Sequence, residues 1–156
     1  MESQTLAGLL RRHPSFDGLT ERHLELLRQQ AVEVQFGPDE IVFREGDECR
    51  LFYLIMSGTV ALETVARGRV FSISTLAPGD ELGWSSLLEG GGKTFQARPL
   101  EQVRALAFDG ARLQHLCEED PEFGYVLARR LLDGLARRLR ATRLQLLETR
   151  VARAAS

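Results

Sequence analysis

Between Ala31 and Leu106 the chain is a succession of short apolar runs cut by turn signals. Val32, Val34 and Phe36 alternate with polar residues before Gly37-Pro38-Asp39, and Ile41 and Phe43 alternate before Glu45-Gly46-Asp47. Leu51 to Ile55 ends at Ser57-Gly58. Val60 and Leu62 lead to Arg67-Gly68, and Val70, Ile73 and Leu76 run into Pro78-Gly79-Asp80. Phe95 to Leu106 closes the series. A period of two, broken by Gly, Pro and Asp every 8–12 residues or so, specifies short antiparallel strands in a sandwich or barrel. Gly37, Gly46, Gly58 and Gly79 fall at the turns, where positive φ is cheap only for glycine.

Helical periodicity brackets this region. Thr5 to about Arg12 and Thr20 to Gln30 read as helices, with Thr20 as an N-cap and Leu24, Leu27 and Ala31 on one face. After Asp109, Leu113, Leu116 and Cys117 form a short helix that stops near Asp120-Pro121. Then Leu127, Leu131, Leu135 and Leu139 recur every four residues, with Leu132, Leu144, Leu147 and Val151 at adjacent positions. A helix of roughly 30 residues would be about 45 Å long. That exceeds what a small β-roll covers, so its apolar stripe calls for a partner, and Leu127, Leu131, Leu135 and Leu139 are the expected seam of a homodimer. The expected fold is α+β: residues 1–30 an N-terminal helical segment, 31–108 a β-roll of the jelly-roll type, and 109–156 C-terminal helices, all one domain.

The composition admits this and excludes several alternatives. A chain of 156 residues with 44% hydrophobic and 27% charged residues can bury a core without staples. The two cysteines, Cys49 and Cys117, have no CxxC spacing, and with His13, His23 and His115 they make no metal-ligand pattern. No signal peptide or membrane-length apolar run is present, and the chain reads as cytoplasmic. Net charge is −2, but residues 121–156 carry eight arginines against Glu122, Asp133 and Glu148, a net of +5 that leaves −7 for the remainder. No aromatics interleave with Arg129, Arg130, Arg137, Arg138, Arg140 and Arg143, and no helix-turn-helix follows, so DNA binding is not expected without an added domain. Gly92-Lys93-Thr94 lacks the earlier glycine of a P-loop, and Gly83-Trp84-Ser85-Ser86-Leu87 lacks the second glycine of a nucleophile elbow. No catalytic constellation stands out, and an enzyme is not expected.

Phe36-Gly37 through Ile41, Gly46-Asp47, the Leu51–Ile55 run, Ser57-Gly58-Thr59-Val60 and Pro78-Gly79-Asp80 with Leu82-Gly83 stand in an order and spacing that resemble the cyclic-nucleotide-binding domain. This is the sensor unit of the catabolite-activator and fumarate-nitrate regulator superfamily. The resemblance implies an eight-strand roll, flanking helices and a long C-terminal helix. It also implies a phosphate-binding cassette at about Gly83 to Thr94, where short-helix amides, a ribose-binding glutamate and a phosphate-binding arginine meet the ligand.

Here the glutamate position holds Trp84, and the arginine position holds Lys93 with Thr94 beside it. An indole cannot accept a bond from a hydroxyl, and a lysine lacks the bidentate fork. Charged hydrogen bonds contribute roughly 1.5–3 kcal/mol each, so the two changes would cost on the order of 10²–10⁴-fold in affinity. Gly83, Trp84, Ser85, Ser86, Lys93 and Thr94 remain the candidate ligand residues. By the resemblance, Thr142 of the long helix joins them. Cyclic AMP, cyclic GMP or another small anion is the implied ligand. The function implied is regulatory: a sensor relaying through a helix dimer to a protein partner, a dimerisation module with a dead pocket, or the sensor part of a transcription regulator.

Overall fold

The structure is a computed structural model that describes residues 6–48, 50–87 and 95–156. Lys93 and Thr94, and with them much of the cassette, lie outside the described residues. Helices α1 (Leu6–Arg12) and α2 (Glu21–Gln30) flank a 3-10 turn at Pro14–Phe16. Seven strands follow: β1 (Val32–Phe36), β2 (Leu51–Ser57), β3 (Val60–Ala66), β4 (Arg69–Leu76), β5 (Glu81–Leu82), β6 (Gln96–Pro99) and β7 (Val103–Asp109). A second 3-10 turn, Trp84–Leu87, leaves β5, and α3 (Gly110–Glu119) and α4 (Pro121–Ala154) end the chain. One sheet has the order β1-β7-β2-β5 and the other β4-β3-β6, and all the pairings are antiparallel.

The alternation along β2 and β7 divides the interior into two cores. Tyr53 and Ile55 of β2 face the space between the sheets, with Val60, Leu62, Leu76, Leu82, Val103 and Ala105. Phe52 and Leu54, one position out of phase, face the helices and pack with Leu10, Phe16, Leu27, Phe108, Phe123 and Leu127. Successive strand residues point to opposite faces, so a strand with both faces covered reads as continuous apolar sequence, as Leu51–Ile55 does. The same rule places Glu81. Its neighbour Leu82 enters the inter-sheet core, and Glu81 pairs in register with Leu54, so its carboxylate turns toward the helices.

The turn chemistry matches the sequence in most places. Arg67 (φ 52°) and Gly68 (φ 75°) make the two-residue β3–β4 hairpin. Gly58 (φ 85°) could not carry a side chain at all, since a Cβ there would sit 2.4 Å from the Gln102 carbonyl oxygen. Gly37 departs from expectation: it is absent from the positive-φ glycines, and its carbonyl simply accepts the Glu40 N–H in a turn. The eighth strand expected at Ile41 and Phe43 is reduced, among the described residues, to an isolated bridge between Phe43 and Ala97. Across the second sheet, buried Glu63 accepts from Arg98 Nε at 2.9 Å and Nη2 at 2.8 Å and from Gln96 Nε2 at 2.9 Å, tying β3 to β6.

Asp120 locks the helices together. Its carboxylate caps α4 by accepting the Phe123 N–H at 3.2 Å and accepts from Arg22 of α2 at 2.6 Å. Buried His23 of α2 lies 3.1 Å away, with its ring edge-on to Phe123. The Phe123 amide above all, with Arg22 and His23, holds the Asp120 carboxyl below its usual range.

His13, buried beside Phe16, has its pKa lowered from 6.5 to about 4 by burial, against the opposing pull of Asp80 and the Ile55 backbone. A histidine lowered in the folded state binds more protons unfolded. Its contribution is therefore fully present above pH 6.5 and drains away as pH falls toward 4, at up to ~1.4 kcal/mol per unit and about 3 kcal/mol in all. His13→Gln should flatten the urea-derived stability profile over that window by about this amount. Parallel profiles for the two proteins would refute the assignment.

Candidate functional site

The cassette begins where Gly83 (φ 82°) turns the chain out of β5 into the Trp84–Leu87 3-10 turn. That turn is pressed onto the first residue of α3. A Cβ built on Gly110 would meet the Ser86 carbonyl oxygen at 2.5 Å and the Ser86 Cβ and Oγ at 2.8 Å. Ser86 is 8% exposed, its N–H donates to the Gly83 carbonyl at 3.0 Å, and its own carbonyl accepts from Gln114 Nε2 at 3.5 Å. Ser86 thus serves to seat the turn on α3; its Oγ is buried and has no hydrogen-bond partner among the described residues. Ser85 is half-buried in the same turn.

Trp84 turns toward the helices. It is half-buried, packs against the helical core and, with Leu87, walls a mainly apolar groove of about 580 Å³. Cys117 of α3 and Leu131, Leu132 and Leu135 of α4 complete the walls. The Cys117 thiol is pushed up by burial and by Glu118, so it stays neutral and packs as an apolar group. The inter-sheet core lies on the other side of β2 and contains Leu82 but not Trp84. The described cassette-flanking cation, Arg98, has its Nε and Nη2 committed to Glu63.

The helix α4 supplies the rest of the arrangement. Its 34 residues span about 51 Å. Arg130 Nε donates to the Asp17 carbonyl at 2.8 Å. One turn on, Gly134 is buried against Glu81, and a Cβ there would lie 2.8 Å from the Glu81 Oε2. Arg138 reaches the same carboxylate with Nη2 at 3.8 Å, and that nitrogen is buried without a hydrogen bond among the described residues. Burial lowers the Arg138 pKa, with Glu81 and Asp80 pulling the other way. Glu81, Arg12, His13, Asp133 and Arg137 share a second, polar cavity of about 280 Å³ between α1 and α4.

Two sequence expectations about α4 need correction. Leu127 is 1% exposed: it packs in the domain's own core and only touches the floor of the groove, so it is not an exposed seam residue. A row repeating every four residues advances 400° per step, so it drifts by about 40° each time. Leu127 therefore faces the core, Leu131 and Leu135 line the groove, and Leu139 is 51% exposed. The residues that stay on the exposed face recur every seven: Leu132, Leu139 and Leu146, at 65%, 51% and 54% exposure. Thr142 is also exposed, and its hydroxyl donates to the Arg138 carbonyl at 2.9 Å. Glu81, Gly134 and Arg138 were missed as a group. The one sequence signal was a glycine in the interior of a long leucine–arginine helix, a second one after Gly124 near its start, which costs about 1 kcal/mol against alanine and so marks a close approach.

The two tight glycines should respond differently to alanine. Gly110→Ala drives a Cβ into backbone and should cost about 1–3 kcal/mol. Gly134→Ala meets only the tip of Glu81, and the helix-propensity gain of ~1 kcal/mol offsets the shift, so its net effect should stay within about 1 kcal/mol. Urea denaturation reads both, and equal losses would contradict the assigned contacts.

The sequence pattern of the cyclic nucleotide-binding domain matches residues 33–120. A CRP-like cAMP-activated global transcriptional regulator of Mycobacterium tuberculosis is 32% identical over 135 residues, covering 86% of this chain and 58% of that protein. The chain thus spans less than two thirds of that relative's length. Among solved structures, a cyclic nucleotide-binding protein from Geobacter metallireducens superposes with a TM-score of 0.75 at 27% identity, covering 83% of this chain and 95% of that one. The N-terminal domain of a transcriptional regulator from Streptomyces coelicolor superposes with a TM-score of 0.68 at 30% identity, covering 88% and 94%. Among the described residues no helix is long and apolar enough to cross a membrane, and no cluster could hold a metal ion.

Proposed function

The chain belongs to the cyclic nucleotide-binding domain family, and from that premise we propose that it is a regulatory sensor domain. In this reading its cassette takes a small anion, a cyclic nucleotide foremost, and hands the event to α4. It is a binding protein rather than an enzyme. It acts as a homodimer joined along α4, in the manner of a transcription regulator's sensor or of a module that engages a protein partner.

The observation that carries this reading is the seating of the cassette turn on the helices. Ser86 touches Gly110 through backbone, so the turn and α3 move together. The α3 helix runs through Asp120 directly into α4, where a Cβ added at Gly124 would stand 2.8 Å from the Cys117 carbonyl oxygen, so these two segments are again packed closely at backbone level. Packed interfaces of this kind pass a displacement on rather than absorbing it. An anion that draws the cassette inward would therefore pull on the root of α4.

Within the site, Gly83 lets the backbone approach, the turn contributes amides, and Lys93 contributes charge. Recognition of the sugar is the weak element, because Trp84 offers no acceptor and faces the groove. That observation favours, as the second reading, a dimerisation module with no ligand.

Calorimetry with cyclic AMP and cyclic GMP separates the two. The sensor reading expects saturable heat below millimolar ligand, lost in Lys93→Ala and strengthened roughly tenfold in Lys93→Arg, which restores the fork. An absence of heat with both nucleotides at millimolar concentration would leave only the module.

A further inference from the structure

The groove beside Trp84 and the bare end of α4 pose one problem between them. Every residue from Leu139 to Ser156 is exposed, including Leu139, Leu144, Leu146, Leu147 and Val151. This apolar row does not begin at Leu139. It comes out of the groove, whose α4 wall includes Leu127, Leu131, Leu132 and Leu135, and Leu132, Leu139 and Leu146 keep a seven-residue interval. A seven-residue repeat is the pattern by which one helix packs along another. A small apolar ligand would fill the groove and leave the protruding leucines in water. An occupant that covers both must be a helix lying along α4 for several turns.

Charge points to which helix. Residues 121–156 carry +5 and the remainder −7, and Glu118 stands on the groove's rim. A basic helix from one copy therefore suits the acidic body of another. A two-fold arrangement with α4 helices parallel lets each helix fill the other's groove.

We infer that Trp84 is a subunit-contact residue: the cassette's 3-10 turn walls the groove that receives α4 of a second copy. This rests on the dimer in the proposed reading but goes beyond it. Two helices could pair through Leu139, Leu146 and their neighbours alone without touching the cassette. With the groove filled, the indole standing at the position of a ribose acid is used for association, and the cassette turn has a helix from each copy against it.

Trp84 is the chain's only tryptophan, so its emission reports this contact directly. Sedimentation and tryptophan emission are followed together on dilution from about 100 µM to about 10 nM, with acrylamide as quencher, and Leu139→Glu/Leu146→Glu serves as the dissociated reference. The inference expects the emission to move red and quenching to rise over the concentrations at which the mass halves. It also expects Trp84→Ala to raise the dimer dissociation constant at least tenfold and Trp84→Phe to preserve it.

A dimer that dissociates with no change at Trp84 overturns the inference and leaves pairing through the protruding helix intact. An unchanged dissociation constant in Trp84→Ala does the same. If the mass never halves on dilution, the reference variant decides: a monomeric Leu139→Glu/Leu146→Glu protein with Trp84 still shielded overturns the inference, and one with Trp84 exposed supports it. A monomer at every concentration removes the dimer as well. Nucleotide calorimetry is independent of all these outcomes.

Discussion

The backbone contact between Ser86 and Gly110 is the constraint on which the rest of the arrangement depends. A Cβ at Gly110 would stand 2.5 Å from the Ser86 carbonyl oxygen, so the cassette turn lies directly on the N-terminus of α3 with no side chain between them. A soft contact between long side chains would let the cassette and the helices move separately. A backbone contact does not, because protein interiors at this packing density have no slack to take up a displacement. Trp84 and Leu87 extend the same surface, adding apolar area where the turn meets α3 and α4.

The helix α4 is held at two levels of unlike chemistry. At its root, Asp120 caps the first turn and binds Arg22, with His23 packed against Phe123. Several partners converge on one carboxylate there, and truncating any of them would leave the others imperfectly satisfied. Near its middle, Glu81 meets the bare backbone at Gly134, and Arg138 approaches without completing a hydrogen bond. In the proposed reading, motion of α4 relative to the roll would turn about its capped root at Asp120 and be felt where Gly134 meets Glu81.

The architecture was legible in the sequence because the turns are chemically explicit. Arg67-Gly68, Ser57-Gly58 and Pro78-Gly79-Asp80 each close a strand where the pattern put them. Thr20 and Asp109 cap helices through hydrogen bonds to the amides of His23 and Arg112. What escaped was information the one-dimensional pattern does not carry. The period of two showed that β2 is apolar throughout but not which of its neighbours would be buried beside it. Glu81 is an unremarked acid in sequence and becomes a buried one only through its register with Leu54. The four-residue leucine row was visible, but its drift around the helix separates one core residue, Leu127, from half-buried Leu131 and Leu135 and exposed Leu139. Thr142 was named by resemblance, and its hydroxyl is bonded to its own helix.

The substitution that makes this cassette unusual gains a reason from the geometry. A glutamate at position 84, oriented as Trp84 is, would place a carboxylate in an apolar groove among Leu87, Leu131 and Leu135. Without a partner, that burial costs several kcal/mol unless the group is protonated. An indole on the same backbone gains from the area it covers instead. The residue type and the direction of the side chain are therefore coupled: an acid favours a turn that aims residue 84 at a polar ligand, and a tryptophan favours one that aims it at the helices. In the proposed reading, residue 84 then helps to set the geometry of the Trp84–Leu87 turn, and apolar cover over the helices replaces an acceptor for a sugar.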